Sequence, residues 1–183
     1  MDVIKLLEKY YRPDSKTYYL LVRHSRLVAN KALEVAERVK ELGPDLKFIE
    51  EAAMLHDIGI FMTHDPGLGC NGPHPYISHG YLGREVLEKE GLPAHALVCE
   101  RHVGVGLTIA DITNNKLPMP LRDMLPLTLE EKIICFADKF YSKDEHSLNV
   151  EKPVKKIRGL ILNFGEDKVK LFDEWLKLFK EHE

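Results

Sequence analysis

Apolar residues recur at spacings of three and four through most of the 183-residue chain, a period typical of amphipathic helices. The clearest stripe follows Pro13-Asp14-Ser15 and runs from Leu20 to Val39, and Gly43-Pro44 ends it. The same period predicts further helices over about 46–57, 78–90, 93–103, 128–141 and 166–180. The sequence shows no long β-alternation, internal repeat or low-complexity tract. We therefore predict an all-α fold, a helical bundle in a single domain over residues 1–183.

Two segments lack this helical period. Residues 59–77, "GIFMTHDPGLGCNGPHPYI", are dense in glycine and proline, and residues 104–127 are predicted to be mostly irregular. Unstructured connections of this length inside a compact domain are usually functional. We predict that these two loops build a ligand pocket.

The composition limits the possible partners. The formal net charge of −3 gives no general attraction to nucleic acid polymers or anionic membranes, and no apolar run approaches the length that spans a bilayer. The N-terminus lacks the apolar core of a signal peptide, so we expect a cytoplasmic protein, for which an oligomer is possible. Cys70, Cys99 and Cys135 form no CxxC pair, which disfavours a disulfide framework.

Polar residues interrupt the apolar faces of three predicted helices. His24 lies on the first stripe, "MLHDIG" ends a helix with His56 and Asp57, and Asp138 lies within "IICFADKF". Burying such groups without partners costs several kcal/mol. Each has an ordinary explanation as a hydrogen-bonded core histidine, a salt bridge or a helix cap. Together, imidazole and carboxylate groups suit divalent Fe, Mn, Ni, Co or Zn.

The order of His24, His56-Asp57 and Asp138 resembles the HD superfamily of metal-dependent phosphohydrolases, with the HDIG string as its most specific element. This resemblance covers residues of about 16–142 and implies a helical bundle. His79 in "HGYLG" and His102 in "ERHVGVG" resemble the two extra histidines of binuclear members, and the pattern looks more like bacterial diadenosine tetraphosphate hydrolases than HD-GYP phosphodiesterases.

The resemblance also implies roles for these residues. His24, His56 and Asp138 would hold one divalent ion, His79 and His102 a second, and Asp57 would bridge them as the central catalytic carboxylate. One or two ions (Fe, Mn, Ni, Co, Zn or Mg) would stabilise phosphate charge and activate a water. The implied activity is hydrolysis of a phosphoester or phosphoanhydride in a small nucleotide or dinucleotide.

The other histidines receive different predictions. His74 is predicted to reach the substrate, and His95 is an alternative to His102 because it lies two helical turns earlier. His64 is either a phosphate contact or a surface residue. His146 and His182 are predicted to be exposed.

One position departs from many HD hydrolases, in which a lysine follows the HDxG string and Ile60 stands here. Because phosphate carries more charge than two ions offset, another basic residue is needed. Lys139 and Arg122 are the preferred replacements, and the other candidates are Arg101, Lys116 and Lys143.

The sequence is also compatible with two other functions. A helical module of this type could bind a nucleotide or metal as a sensor without turnover, or it could be an adaptor with no site. The presence of all six candidate ligands favours an enzyme, since degenerate HD domains usually lose ligands.

Overall fold

The apolar stripe lies on one helix of 23 residues, α2 (Lys16–Arg38). The structure, a computed structural model, describes residues 1–181, so His182 lies outside the described residues. Ser15 begins the helix because its hydroxyl accepts a hydrogen bond of 3.2 Å from the backbone N–H of Tyr18. A short 3₁₀ turn follows α2, and Gly43 closes it with a left-handed φ of 70°.

Most of the other regular structure is also helical, which confirms the all-α prediction. The remaining α-helices of residues 1–181 are α1 (Val3–Glu8), α3 (Leu46–Leu55), α4 (His79–Lys89), α5 (Pro93–Arg101), α6 (Ile109–Asn114), α7 (Leu129–Asp138), α8 (Val154–Leu162) and α9 (Glu166–Leu178). Three 3₁₀ segments cover Lys40–Leu42, Ile58–Met62 and Tyr76–Ser78.

Two large groups and one small group of buried apolar side chains fill the interior of residues 1–181, and the small group consists of Ile112, Met119 and Met124. The first joins the C-terminal half of α2 to α3, α7, α8 and α9, and the ring of Phe136 lies 5.0–5.3 Å from the rings of Phe140, Phe172 and Phe179. The second joins α1, the N-terminal half of α2, α4 and α5. Along α2, Leu21 belongs to the second group and Val28 to the first. His24 therefore lies where the two groups meet.

The structure contains short elements that the sequence pattern did not predict. Within the first loop, β1 (Thr63–Asp65) pairs antiparallel with β2 (Cys70–Asn71) and parallel with β3 (His74–Pro75). Helix α6 begins inside the second loop at a capping box formed by Thr108 and Asp111. Helix α8, which follows Pro153, was also not predicted.

Within residues 1–181, no helix combines the length and the apolar character that crossing a lipid bilayer requires.

Candidate metal centre

All six side chains predicted as metal ligands converge in the structure, although they come from positions up to 114 residues apart. Their positions are His24 within α2, His56 and Asp57 directly after α3, His79 at the first residue of α4, His102 directly after α5, and Asp138 at the last residue of α7. Each is at most 9% exposed. Five of the six lie at or just beyond a helix end, and His24 lies in the interior of α2.

The first ligand group consists of His24, His56, Asp57 and Asp138. His24 Nε2 lies 3.0 Å from Asp138 Oδ1 and 3.4 Å from Asp57 Oδ2. His56 Nε2 lies 3.0 Å from the same Asp57 oxygen and 3.5 Å from Asp138 Oδ1. Two imidazoles and two carboxylates thus face one point.

The second ligand group consists of Asp57, His79 and His102. Asp57 Oδ1 lies 3.3 Å from His79 Nε2 and 3.4 Å from His102 Nε2. The two oxygens of this carboxylate therefore face different ligand groups. That arrangement is the one a bridging carboxylate requires.

A close backbone contact brings the HDIG turn against α4. A Cβ atom added at Gly59 would lie 2.2 Å from the carbonyl oxygen of His79 and 2.5 Å from the backbone nitrogen of Gly83. A Cβ added at Gly83 would lie 2.2 Å from the sulfur of Cys99 on α5. Glycine at these positions lets the segment after Asp57, α4 and α5 approach closely, which sets the distances in the second ligand group.

Hydrogen bonds to the backbone orient three of the imidazoles. Each Nδ1 lies 2.6–2.7 Å from the carbonyl oxygen three residues earlier, Ala53 for His56, Tyr76 for His79 and Cys99 for His102. A carbonyl only accepts, so Nδ1 carries the proton and Nε2 is directed at the cluster. This is the arrangement found behind metal-binding histidines.

The pKa of His56 in the first group is shifted in the opposite direction from those of His79 and His102 in the second. Burial lowers the pKa of His56, but the charge of Asp57 and the hydrogen bond with Asp138 outweigh burial and raise it to about 9. Burial lowers the pKa of His79 to about 3 and also lowers that of His102. His79 and His102 are therefore neutral at pH 7, the form that binds metals.

The polar atoms of the cluster fit divalent cations. Both oxygens of Asp57 and Nε2 of His56 are buried, and within residues 1–181 their ion-pair partners within 4 Å are other members of the cluster and the ammonium group of Lys143. Nε2 of His79 and Nε2 of His102 are 3.0 Å apart, and two neutral nitrogens bearing lone pairs repel each other at that distance unless a cation lies near both. The nitrogen and carboxylate donors suit a borderline divalent metal.

A cavity of about 360 Å³ adjoins the cluster. Its wall includes His79, His102 and Asp138 from the two ligand groups. Four lysines also line it, namely Lys139, Lys143, Lys152 and Lys168. Lys139 Nζ lies 2.8 Å from Asp138 Oδ2, and Lys143 Nζ lies 2.7 Å from Asp57 Oδ2. The ammonium groups of these two lysines therefore lie directly beside the carboxylates of the cluster.

Several predicted residues lie elsewhere. Arg122, a preferred substrate contact, pairs with the buried carboxylate of Glu100, and neither Arg122 nor His74 is among the described residues that line this cavity. His95 lies 3.7 Å from Glu51 and contacts the ring of Phe48, so His102 and not His95 reaches the cluster.

Among the described residues, Arg101 and Lys116, two further basic candidates, do not line this cavity. Arg101 pairs with Glu131, Lys116 is exposed, and Ile60 is buried in the second core group. His64 and His146 are exposed.

Sequence reasoning missed Tyr76 and ranked Lys143 below Arg122. The ring of Tyr76 stacks on His79 with centroids 4.7 Å apart, and both Tyr76 and Lys143 also line a second cavity of about 530 Å³. The sequence gives a weak indication of Tyr76, because this residue lies three positions before His79. It gives no indication of Lys143, because this residue lies in an irregular segment after α7.

Comparisons with known proteins agree with this geometry. A family model described as HD domain matches residues 21–142. An uncharacterized protein of Methanocaldococcus jannaschii is 36% identical over 121 residues, 64% of this chain and 64% of that protein. No solved structure matches the chain.

Two relatives carry the name tRNA (cytidine(56)-2'-O)-methyltransferase. The protein of Picrophilus torridus is 30% identical over 86% of this chain and 41% of its own length. The protein of Thermoplasma volcanium is 26% identical over 94% of this chain and 45% of its own length. The chain thus spans less than two thirds of the length of each of these three relatives. The family match covers the histidine and aspartate cluster from His24 to Asp138, and the chain belongs to the HD domain family.

Proposed function

We propose that the protein is a divalent-metal-dependent phosphohydrolase that cleaves a phosphoester or phosphoanhydride bond of a nucleotide or dinucleotide. The observation that carries this proposal is the position of Asp57, whose two oxygens face two separate ligand groups. When bound, two divalent cations at such a site neutralise phosphate charge and lower the pKa of a water molecule. An HD domain with this cluster supports metal-dependent phosphohydrolase chemistry at the level of the superfamily.

The protein's own residues would prepare the site for an anionic substrate. Lys139 and Lys143 place ammonium groups beside Asp138 and Asp57 at the end of the cavity nearest the cluster. Lys139 also donates a hydrogen bond of 3.1 Å to the backbone carbonyl of His102, which fixes its position. Ammonium groups held in this way attract a phosphate and orient it toward the cluster.

A small nucleotide is the proposed substrate for two reasons. A volume of about 360 Å³ falls in the range of small-molecule sites, roughly 300–1,000 Å³, and the cavity wall combines lysines with apolar side chains. The two relatives named as tRNA methyltransferases are named for action on a cytidine, which favours a nucleotide over other organic phosphates. The resemblance to diadenosine tetraphosphate hydrolases stays a prediction.

The test is elemental analysis of the purified protein, together with a hydrolysis screen over nucleotide mono-, di- and polyphosphates with added Mn²⁺, Fe²⁺, Co²⁺ or Ni²⁺. We expect up to two transition-metal ions per chain and turnover that a chelator abolishes. A protein that holds ions but hydrolyses no substrate would contradict the proposal and favour the non-catalytic sensor.

A matched pair of lysine variants tests the phosphate contact. Lys139→Met removes an ammonium group beside the cluster and should raise KM. Lys132→Met removes one from α7, whose position 132 does not line the cavity, and should leave KM unchanged.

A further inference from the structure

Part of the cavity wall comes from residues beyond the segment that the family model matches. The match ends at residue 142, whereas Ile157, Leu160 and Ile161 of α8, together with Phe164 just after it, line the cavity. The HD segment therefore supplies the ligand groups, and the region after it supplies a separate apolar wall. We call these four residues the α8 wall.

The α8 wall has an inner and an outer part. Ile157 and Ile161 are 1% and 6% exposed and pack in the first core group. Leu160 and Phe164 are 47% and 72% exposed, although they line the same cavity. An aromatic ring left open to solvent at the rim of a cavity gains little from folding. It can instead cover the flat face of a bound molecule.

A second part of the cavity wall is held in place by polar contacts. It is formed by the segment from Val103 to Leu107, which follows His102. Lys168 of α9 pairs with Asp111 of α6 at 2.5 Å and donates a hydrogen bond to the carbonyl of Gly106. These contacts connect α9, which lies after the HD segment, to the part of the cavity wall that follows His102.

Charge is distributed unevenly along the cavity. Lys139, Lys143 and Lys152 lie near the cluster, where burial together with repulsion from neighbouring lysines lowers the pKa of Lys152 to about 8. Asp138 and Asp111 are the aspartates among the described residues of the wall, and each is already paired with a lysine. The α8 wall is apolar. A ligand with an anionic end and a flat apolar end matches this arrangement.

We propose that Leu160 and Phe164 form the subsite that binds the planar organic group of the phosphorylated substrate and determines which organic phosphates are accepted. The phosphate then lies at the lysine end beside the cluster, and a nucleobase-like ring lies against Phe164. This inference rests on the proposed function for the phosphate end and adds the residues that select the other end.

Binding is measured by calorimetry on the metal-loaded protein, with a nucleoside monophosphate, the corresponding nucleoside and inorganic phosphate as probes. Stacking of a base on an aromatic side chain contributes enough that Phe164→Ala should weaken nucleoside monophosphate binding about tenfold. Leu160→Ala should weaken it by a smaller factor. Neither change should alter the affinity for inorganic phosphate.

Two matched variants make the test specific. Leu162→Ala removes a side chain that is 55% exposed on the same helix but is not in the cavity wall, and it should bind like wild type. Phe164→Tyr keeps the ring and should retain most of the affinity. Because Phe164 is exposed, its replacement should leave the melting temperature near that of wild type.

The possible outcomes separate this inference from the proposed function. The α8 subsite is wrong if Phe164→Ala and Leu160→Ala bind the nucleotide as tightly as wild type. It is also wrong if their affinity for inorganic phosphate falls by the same factor as their affinity for the nucleotide, even when turnover is observed. If wild type binds the nucleotide through Phe164 but hydrolyses no phosphate, the subsite stands and the proposed function fails.

Discussion

The two ligand groups share Asp57 but differ in charge and in origin. The first adds a second carboxylate, Asp138, and draws its residues from α2, α7 and the end of α3. The second adds His79 and His102, which lie at the ends of the neighbouring helices α4 and α5. The first group therefore concentrates negative charge, whereas the second depends on neutral imidazoles.

This difference in charge affects how each group competes with protons. Negative charge attracts both protons and metal ions, so the carboxylates raise the pKa of His56 in the first group, whereas burial lowers the pKa of His79 in the second. We expect the first group to bind a cation more tightly and to depend more on pH. The second group should be the one from which an ion is lost first.

The largest expected effect comes from Asp57→Asn, which alters both groups at once. The amide keeps the shape but removes the charge that the two groups share. Loss of one part of a preorganised electrostatic site commonly lowers turnover by two to three orders of magnitude, about 3–4 kcal/mol. Metal content and hydrolysis rate are measured beside wild type, with circular dichroism to check folding. A folded variant with two ions and near wild-type turnover would remove Asp57 from the centre of the site.

The second prediction separates the groups by removing one ligand. His79→Ala should leave one ion per chain in the first group and lower turnover on the order of a hundredfold, because the bridging geometry is lost. His95→Ala is the matched control, since His95 lies on α5 beside Glu51 and outside both groups. Elemental analysis measures the number of metal ions per chain in both variants. Loss of an ion in His95→Ala would mean that the second group is assigned wrongly.

The third prediction uses pH. In the metal-free protein, His56 has a pKa of about 9 and must lose a proton before its Nε2 binds a cation. Raising the pH from 6 to 8 should therefore strengthen binding at the first group by roughly a hundredfold, one factor of ten per pH unit. The pKa of His79 is lowered to about 3, so the second group should change little over the same interval. Metal titration at several pH values measures this dependence. Equal pH dependence at both groups would contradict the expected difference between them.

The smallest expected effect on metal binding concerns the backbone contact behind the second group. Gly59→Ala places a Cβ 2.2 Å from the carbonyl oxygen of His79 and should lower the free energy of unfolding by about 3 kcal/mol. It should also weaken metal binding at the second group more than at the first, because α4 must shift. Gly159→Ala in α8 would place a Cβ with no described atom within 4 Å outside the neighbouring backbone of its own helix, and it should raise the free energy of unfolding by about 0.5–1 kcal/mol. Denaturant unfolding of both variants is the measurement.

The sequence allowed the long elements to be predicted because their patterns repeat. The stripe on α2 extends over several turns, and the cap at Ser15 and the turn at Gly43 lie where the pattern places them. The short elements were missed for a physical reason. Helices such as α6 and α8 have 6 and 9 residues and are marginal by themselves, so their formation depends on packing that no local pattern contains.

The residues that line the cavity could be predicted less well than the candidate metal ligands. Arg122 looked suitable because a basic residue in a loop is free to reach a phosphate, but the structure pairs it with Glu100, 22 positions earlier. Lys143 contacts Asp57 from an irregular segment that carries no periodic signal. Charged side chains are long and flexible, so their partners depend on which elements the fold brings near.

By itself, the sequence determined the order of six candidate ligands, because His24, His56-Asp57 and Asp138 interrupt apolar helices, and the resemblance to HD hydrolases added His79 and His102. Only the tertiary structure decided that one oxygen of Asp57 faces His56 while the other faces His79 and His102. It also decided that residues from outside the matched segment line the cavity. The reason is that helix spacing fixes which residues share a face, whereas distances between helix ends depend on how closely the helices pack, as the contact between Gly59 and α4 demonstrates.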